Sequence, residues 1–177
     1  MIIAISGIPG TGKTVVARLL AKQLNANLID LKKLKVKCRI DRKRKTKIID
    51  QKDLQKAVNK ELRKGDKRIN IIESHLSHLL KADFVIILRT NPLILEKRLK
   101  NRNWARKKIK ENLQAEILDE ITIEAMEKHR NVFEIDTTRK SKKNTIAIIQ
   151  AILKKKPKKY KPGNIDWSEK YKNYLIK

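Results

Sequence analysis

Residues 7–14 read GIPGTGKT, a complete G-x-x-x-x-G-K-[ST] string. Its flanks decide what it is. Residues 1–5, MIIAI, form a short apolar run suited to a fully buried strand, and VVARLLAKQL, residues 15–24, carries apolar residues at helical spacing. A glycine loop between a strand and a helix lets backbone N–H groups converge on phosphate oxygens at a helix N-terminus, where the helix dipole also favours an anion. In such a loop Lys13 supplies a point charge for the β and γ phosphates, and the Thr14 hydroxyl is placed to ligate magnesium. The chain has five glycines, and three of them are in this string. It is not a dinucleotide fingerprint, because Gly10-Thr11-Gly12 runs into Lys13-Thr14-Val15 without a third glycine. The expected ligand is a nucleoside triphosphate.

Working outward, strand-like runs recur at residues 28–30, 68–73 (RINIIE), 84–89 (FVIILR) and 132–135. Helical segments lie between them. Asp50 is placed to cap a helix carrying Leu54, Val58 and Leu62 that ends at Gly65, and Pro92 sits at a permitted first-turn position. One long polar helix is predicted over about 105–128, with an apolar stripe through Ile109, Leu113, Ile117, Ile121 and Ala125. A last core helix contains residues 146–153. Strands alternating with helices argue for an α/β fold with a mostly parallel sheet covered on both faces.

Composition bounds the rest. Among 177 residues, 45 are Lys or Arg and 19 are Asp or Glu, for a net charge of +26. That length fits one domain with a substantial core. No apolar run approaches the roughly 18 residues of a membrane span. The opening residues lack a charged leader, and the lone Cys38 excludes an intramolecular disulfide, so a reducing, cytoplasmic setting is expected. Ten of the sixteen residues 32–47 are Lys or Arg, and residues 154–177 begin as a proline-broken basic tail. Such charge suits a polyanionic partner, nucleic acid first, or is simply a lysine coat. Aromatic residues make up only 4%, which supplies a single-strand stacking platform poorly. The end of the tail is either a short docked helix or a partner-binding arm.

Candidate chemistry follows the loop. An acid closing an apolar strand is the usual magnesium-side partner, and Glu73 ends RINII, with Asp30 and Asp136 as alternatives. His75 could orient an attacking group or water, or form a structural pair with His78. Arg98, Arg102, Arg106 and Arg130 could close on a transferring phosphate or line a solvated face.

With these residues in view, the sequence resembles the sixth adenylate kinase isoenzyme family, the coilin-interacting nuclear ATPase type, in an archaeal form. The resemblance rests on GIPGTGKT, IIESH, FVIILRTNPLILEKRLKNRNW and KIKENLQAEILDEITIEA, and spans about residues 2–153. It implies a P-loop kinase fold with a parallel five-stranded sheet in residues 1–153, a monophosphate-binding segment at about 30–49 and a short lid at about 101–111. It implies reversible transfer from ATP to AMP of broad specificity, with Mg2+, some ATPase activity, and a role in small-subunit (16S) rRNA maturation through a ribosomal protein of the S11 type. By position, Gly10, Gly12, Lys13, Thr14 and Val15 would hold ATP phosphates, Thr14 and Glu73 the metal, Glu73 and His75 the acid-x-His pair, and Arg102 and Arg139 contacts to ATP. Glu73 stands where the family commonly has Asp, Arg102-Asn103-Trp104 replaces its R-G-Y, and one acid against ten bases fills residues 32–47. Three readings result: a monomeric nucleoside-monophosphate kinase, an assembly ATPase with incidental AMP turnover, and a basic nucleic-acid-binding protein without catalysis. The intact loop disfavours the last.

Overall fold

The computed structural model describes residues 1–41 and 46–176. Five parallel strands form the central sheet: β1 (Ile2–Ser6), β2 (Asn27–Asp30), β5 (Asn70–Glu73), β6 (Phe84–Arg89) and β7 (Val132–Asp136), in the order β2-β5-β1-β6-β7. The helices are α1 (Lys13–Gln23), α2 (Gln51–Lys64), α3 (Pro92–Lys100), α4 (Arg106–Ile117), α5 (Glu120–Lys128) and α6 (Lys142–Lys155).

The strands are near-continuous apolar runs because both faces are covered. The two-residue period sends Ile3 and Ile5 of β1 to one face, where they meet Val16, Ala17 and Leu20 of α1 and Ile146, Ile149 and Ile152 of α6. Ala4, Val85 and Ile87 point to the other face, against Leu95 and Leu99 of α3, Ile109 and Leu113 of α4 and Ile121 of α5. A third cluster seats α2, through Leu54 and Val58, on Ile29, Leu31 and Ile72. The parallel, doubly covered sheet is the one that the strand–helix alternation predicts, and its five strands match the P-loop kinase fold that the resemblance implies.

Four local expectations change. The helix over 105–128 is two helices, broken where Asp119 takes φ 56. The break lets Glu116 and Asp119 both face Arg89, and the whole apolar stripe stays buried across it. Gly65 ends α2 at φ −76, so it is not a left-handed cap; a Cβ there would lie 2.2 Å from Asn27 Nδ2, and close packing is what requires glycine. The basic run contains a hairpin, β3 (Cys38–Asp41) and β4 (Thr46–Ile49), paired antiparallel from Cys38↔Ile49 to Asp41↔Thr46. Arg42, Lys43, Arg44 and Lys45 of that run lie outside the described residues. Finally, the tail folds back on the core without a docked α-helix. Tyr171 is buried and accepts from Asn91 Nδ2 at 2.6 Å, and Glu134 Oε2 accepts from the Gly163 N–H at 3.2 Å. Among the described residues, no helix is long and apolar enough to cross a membrane.

Candidate functional site

Because all five strands are parallel, Ser6, Asp30, Glu73, Arg89 and Asp136 end at one edge of the sheet. Ligands of open α/β sheets bind at that edge where the strand order reverses, and β1 is the central strand there. The glycine loop leaves β1 at this point. Gly7 at φ 135 passes so close to β6 that a Cβ would lie 2.3 Å from the Leu88 carbonyl oxygen. Gly12 at φ 96 caps α1 without a side-chain bond, and no atom of the described residues lies within 4 Å of where its Cβ would be. Among the described residues the N–H groups that open α1 have no backbone partner, the arrangement an anion needs.

Lys13 is 7% exposed, with Nζ donating to the Ile8 carbonyl at 3.1 Å. Burial pulls its ammonium down to about 8, with Glu73 opposing the shift. Thr14 Oγ1 donates to Glu73 Oε1 at 3.2 Å, which joins the loop to the end of β5. This pair of hard oxygen donors fits Mg2+, which takes one or two carboxylate or hydroxyl ligands and completes its shell with water and phosphate oxygens. The alternative acids are engaged elsewhere: Asp30 accepts from the Lys32 N–H at 3.0 Å and Asp136 from the Thr138 N–H at 2.9 Å.

The two histidines separate. His78 is 1% exposed and held by Ser6 Oγ at 2.9 Å and Glu124 Oε2 at 2.7 Å, a structural residue. His75 keeps an exposed edge in the cleft beside Lys13 and Glu73. Packing at the cleft mouth, then the charges of Lys13 and Lys32, pull its imidazole down to about 4, so it is neutral at pH 7.

Two clefts flank the loop. One, of about 310 Å3, is lined by Lys13, Thr14, Lys32, Glu73, His75 and Lys108, with Val15 and Trp104 at its rim. The other, of about 260 Å3, runs along Gly10, Gly12 and Val15 to Thr137, Lys140, Lys142 and Thr145. Arg102 lines both. Of the four arginines, Arg98 also reaches the loop, donating to the Gly10 carbonyl at 3.1 Å. Arg106 instead lines a larger cavity of about 870 Å3 bounded by α3, α4 and the tail, with no residue of the glycine loop in its lining, and Arg130 lies at the opposite edge of the sheet, before β7. Arg139 is exposed and lines neither cleft; the neighbouring Lys140 and Lys142 do. Sequence reasoning also missed Lys32 and Lys108, exposed lysines that the fold brings to the rim of the first cleft.

Comparisons agree with this architecture. The sequence profile of the AAA domain family matches residues 3–119. A protein of Archaeoglobus fulgidus named "Putative adenylate kinase" is 43% identical over 172 residues, covering 94% of this chain and 92% of its own. A Methanocaldococcus jannaschii protein of the same name is 42% identical over 180 residues, covering 99% and 97%. Among solved structures, a deoxyadenosine kinase from M. mycoides superposes with a TM-score of 0.55 at 17% identity, covering 86% of this chain and 98% of that one. A shikimate kinase from Bacteroides thetaiotaomicron gives 0.54 at 17% identity, with the same coverage. At such identities the likeness is one of fold. On its sequence, the chain belongs to the AAA domain family and is related to these archaeal proteins.

Proposed function

We propose that this protein is a nucleoside-monophosphate kinase of the adenylate kinase type, transferring the γ-phosphoryl group of ATP to AMP to give two ADP. One observation carries the reading: two small clefts lie on either side of a single phosphate loop and share Arg102. A pure hydrolase needs room for one nucleotide; a transferase between nucleotides needs two. The cleft along Thr137, Lys140 and Lys142 suits the donor's nucleoside, and the one with Lys32 and His75 suits the acceptor. The names of the archaeal relatives point the same way.

In this assignment Gly10, Gly12, Lys13, Thr14 and Val15 cradle the donor phosphates, and residues 30–49 and 101–111 are the acceptor-binding segment and the lid. Arg139, exposed and outside both clefts, is not among the donor contacts assigned here. Thr14 and Glu73 would hold Mg2+, which when bound neutralises phosphate charge. Lys13 and Arg102 offset the charge that spreads over the equatorial oxygens in flight. Neutral His75 can accept or donate one hydrogen bond without adding charge. Closure of the lid segment would exclude water, so that the acceptor phosphate and not hydroxide takes the phosphoryl group.

A second reading rests on the net charge of +26. In it the protein is a cytoplasmic ATPase whose hydrolysis acts on a ribonucleoprotein, an S11-type ribosomal protein or rRNA, and AMP turnover is incidental. Incubation with MgATP, with and without AMP, separates them when ADP and inorganic phosphate are followed independently. Two ADP per AMP consumed, with little free phosphate, is the expected result. Phosphate release indifferent to AMP favours the second reading.

A further inference from the structure

Arg89 ends β6 with its guanidinium almost wholly buried, and it grips several elements at once. Nε donates to Glu116 Oε1 at 2.8 Å and Nη2 to the Glu116 carbonyl at 2.7 Å, both on the last turn of α4. Nη2 also bonds the Asp119 carboxylate at the left-handed junction between α4 and α5. Nη1 donates to Glu134 Oε1 of β7 at 2.5 Å, and the same oxygen accepts from Thr122 Oγ1 of α5 at 2.8 Å. The C-terminal end of α4 is therefore clamped to the sheet.

The other end of α4 is built differently. It starts at Ala105 with no side-chain cap and no acid in its first turn, where Arg106, Lys107 and Lys108 stand exposed. Cations at a helix N-terminus oppose the dipole, and an anion brought to that end relieves the conflict. The turn before it carries Arg102, Asn103 at φ 56 and Trp104, which line or adjoin the clefts. One end is fixed, and the other carries cations whose conflict with the dipole an anion would offset.

We propose that Arg89 is the pivot on which α4 and the turn carrying Arg102 close over the bound triphosphate, making Arg89 a positioning residue for phosphoryl transfer that never touches substrate. This rests on the lid assignment made above. A 12-residue helix is ~18 Å long, so a tilt of about 10° at the clamped end carries Arg102 through ~3 Å. The pivot is also referenced to the loop. Glu116 Oε1 accepts the Thr90 N–H at 3.0 Å, Thr90 Oγ1 meets Thr137 Oγ1 at 2.9 Å, and Thr137 Oγ1 lies 3.1 Å from the Thr11 carbonyl. The arm and the loop it covers thus share one rigid base.

The test uses the full chain carrying Trp167→Phe, so that Trp104 is the only tryptophan. In this background Asp119→Gly keeps the positive φ but drops the tie to Arg89, whereas Asp119→Asn keeps both the φ and an acceptor. Trp104 emission is followed on adding MgATP, beside kcat, KM, Tm and the affinity for inorganic tripolyphosphate. Asp119→Gly is expected to shrink the Trp104 response and lower kcat about tenfold, with tripolyphosphate affinity held within twofold; Asp119→Asn restores both. A wild-type response and kcat in Asp119→Gly overturns the pivot. So does a loss shared by both variants in step with Tm, or a Trp104 signal blind to MgATP in the parent. If AMP is not an acceptor, the Trp104 response and ATP hydrolysis still read the pivot, so the two assignments fail separately.

Discussion

Lys13 shows how a single side chain is set by competing effects. It has almost no water, which disfavours its charge, while Glu73 sits close enough to favour it, and burial wins, bringing the ammonium to about 8. A bound triphosphate reverses the balance, so binding draws a proton onto Lys13 wherever the free protein has lost it. Affinity for MgATP should be flat below about pH 7.5 and fall with rising pH above about 8, by up to tenfold per unit. Titration calorimetry at pH 8.5 in buffers of different ionisation enthalpy should show proton uptake on binding. Lys13→Arg should remove both the slope and the uptake, because guanidinium does not titrate in this range. Lys13→Ala should abolish transfer and leave the fold intact, since among the described residues its Nζ bonds a single loop carbonyl. Transfer surviving in that variant would place the phosphate elsewhere.

At the scale of elements, α2 depends on its cap. Asp50 Oδ1 accepts from the Lys52 N–H at 2.8 Å and the Asp53 N–H at 3.3 Å, while most of the helix surface is wet. Asp50→Ala should cost about 1 kcal/mol in urea denaturation, and Asp50→Ser should recover most of it. An unchanged midpoint in the alanine variant would mean that water satisfies those N–H groups equally well. This cap was legible in sequence, as were the five sheet strands and the loop, because periodicity and capping chemistry are local. What was not legible depends on partners far away in the chain. The break at Asp119 leaves the apolar stripe of α4 and α5 unbroken, so periodicity reads straight through it. Arg89 closes the strand run FVIILR without drawing notice, because Glu116 and Glu134 become its partners only when α4 and β7 pack beside β6. The hairpin of β3 and β4 was hidden by lysines, whose abundance swamps a four-residue alternation. Arg139 came from family position alone, and the residues of this stretch that line the cleft are its neighbours Lys140 and Lys142.

For the molecule as a whole, charge and the buried cluster set the response to solution conditions. If the charge of +26 serves a polyanion, affinity for a structured RNA should fall steeply between about 50 and 200 mM salt, whereas a lysine coat gives weak binding with no preferred RNA. The Arg89 cluster joins β6, β7, α4 and α5, and the tail reaches it through Gly163. Three carboxylates face one guanidinium there, so they cannot all ionise cheaply. Glu116 is almost wholly buried, and burial raises it from 4.5 to about 7 against the pull of Arg89. The folded protein therefore keeps a proton on Glu116 that the unfolded chain has released, throughout the window from about pH 4.5 to about 7. Stability contributed by this group is full below about 4.5 and is lost as pH rises through about 7, with a slope of roughly one kcal/mol per pH unit. Glu116→Gln carries no titrating group, so the difference in unfolding free energy between wild type and variant, measured in urea at pH 5, 6 and 7, isolates that slope from every other carboxylate. The wild type should lose ground steadily to the glutamine variant as pH rises. A constant difference would mean that Arg89 keeps Glu116 ionised across the range and that the burden of the extra charge falls on Asp119, the more exposed member of the cluster.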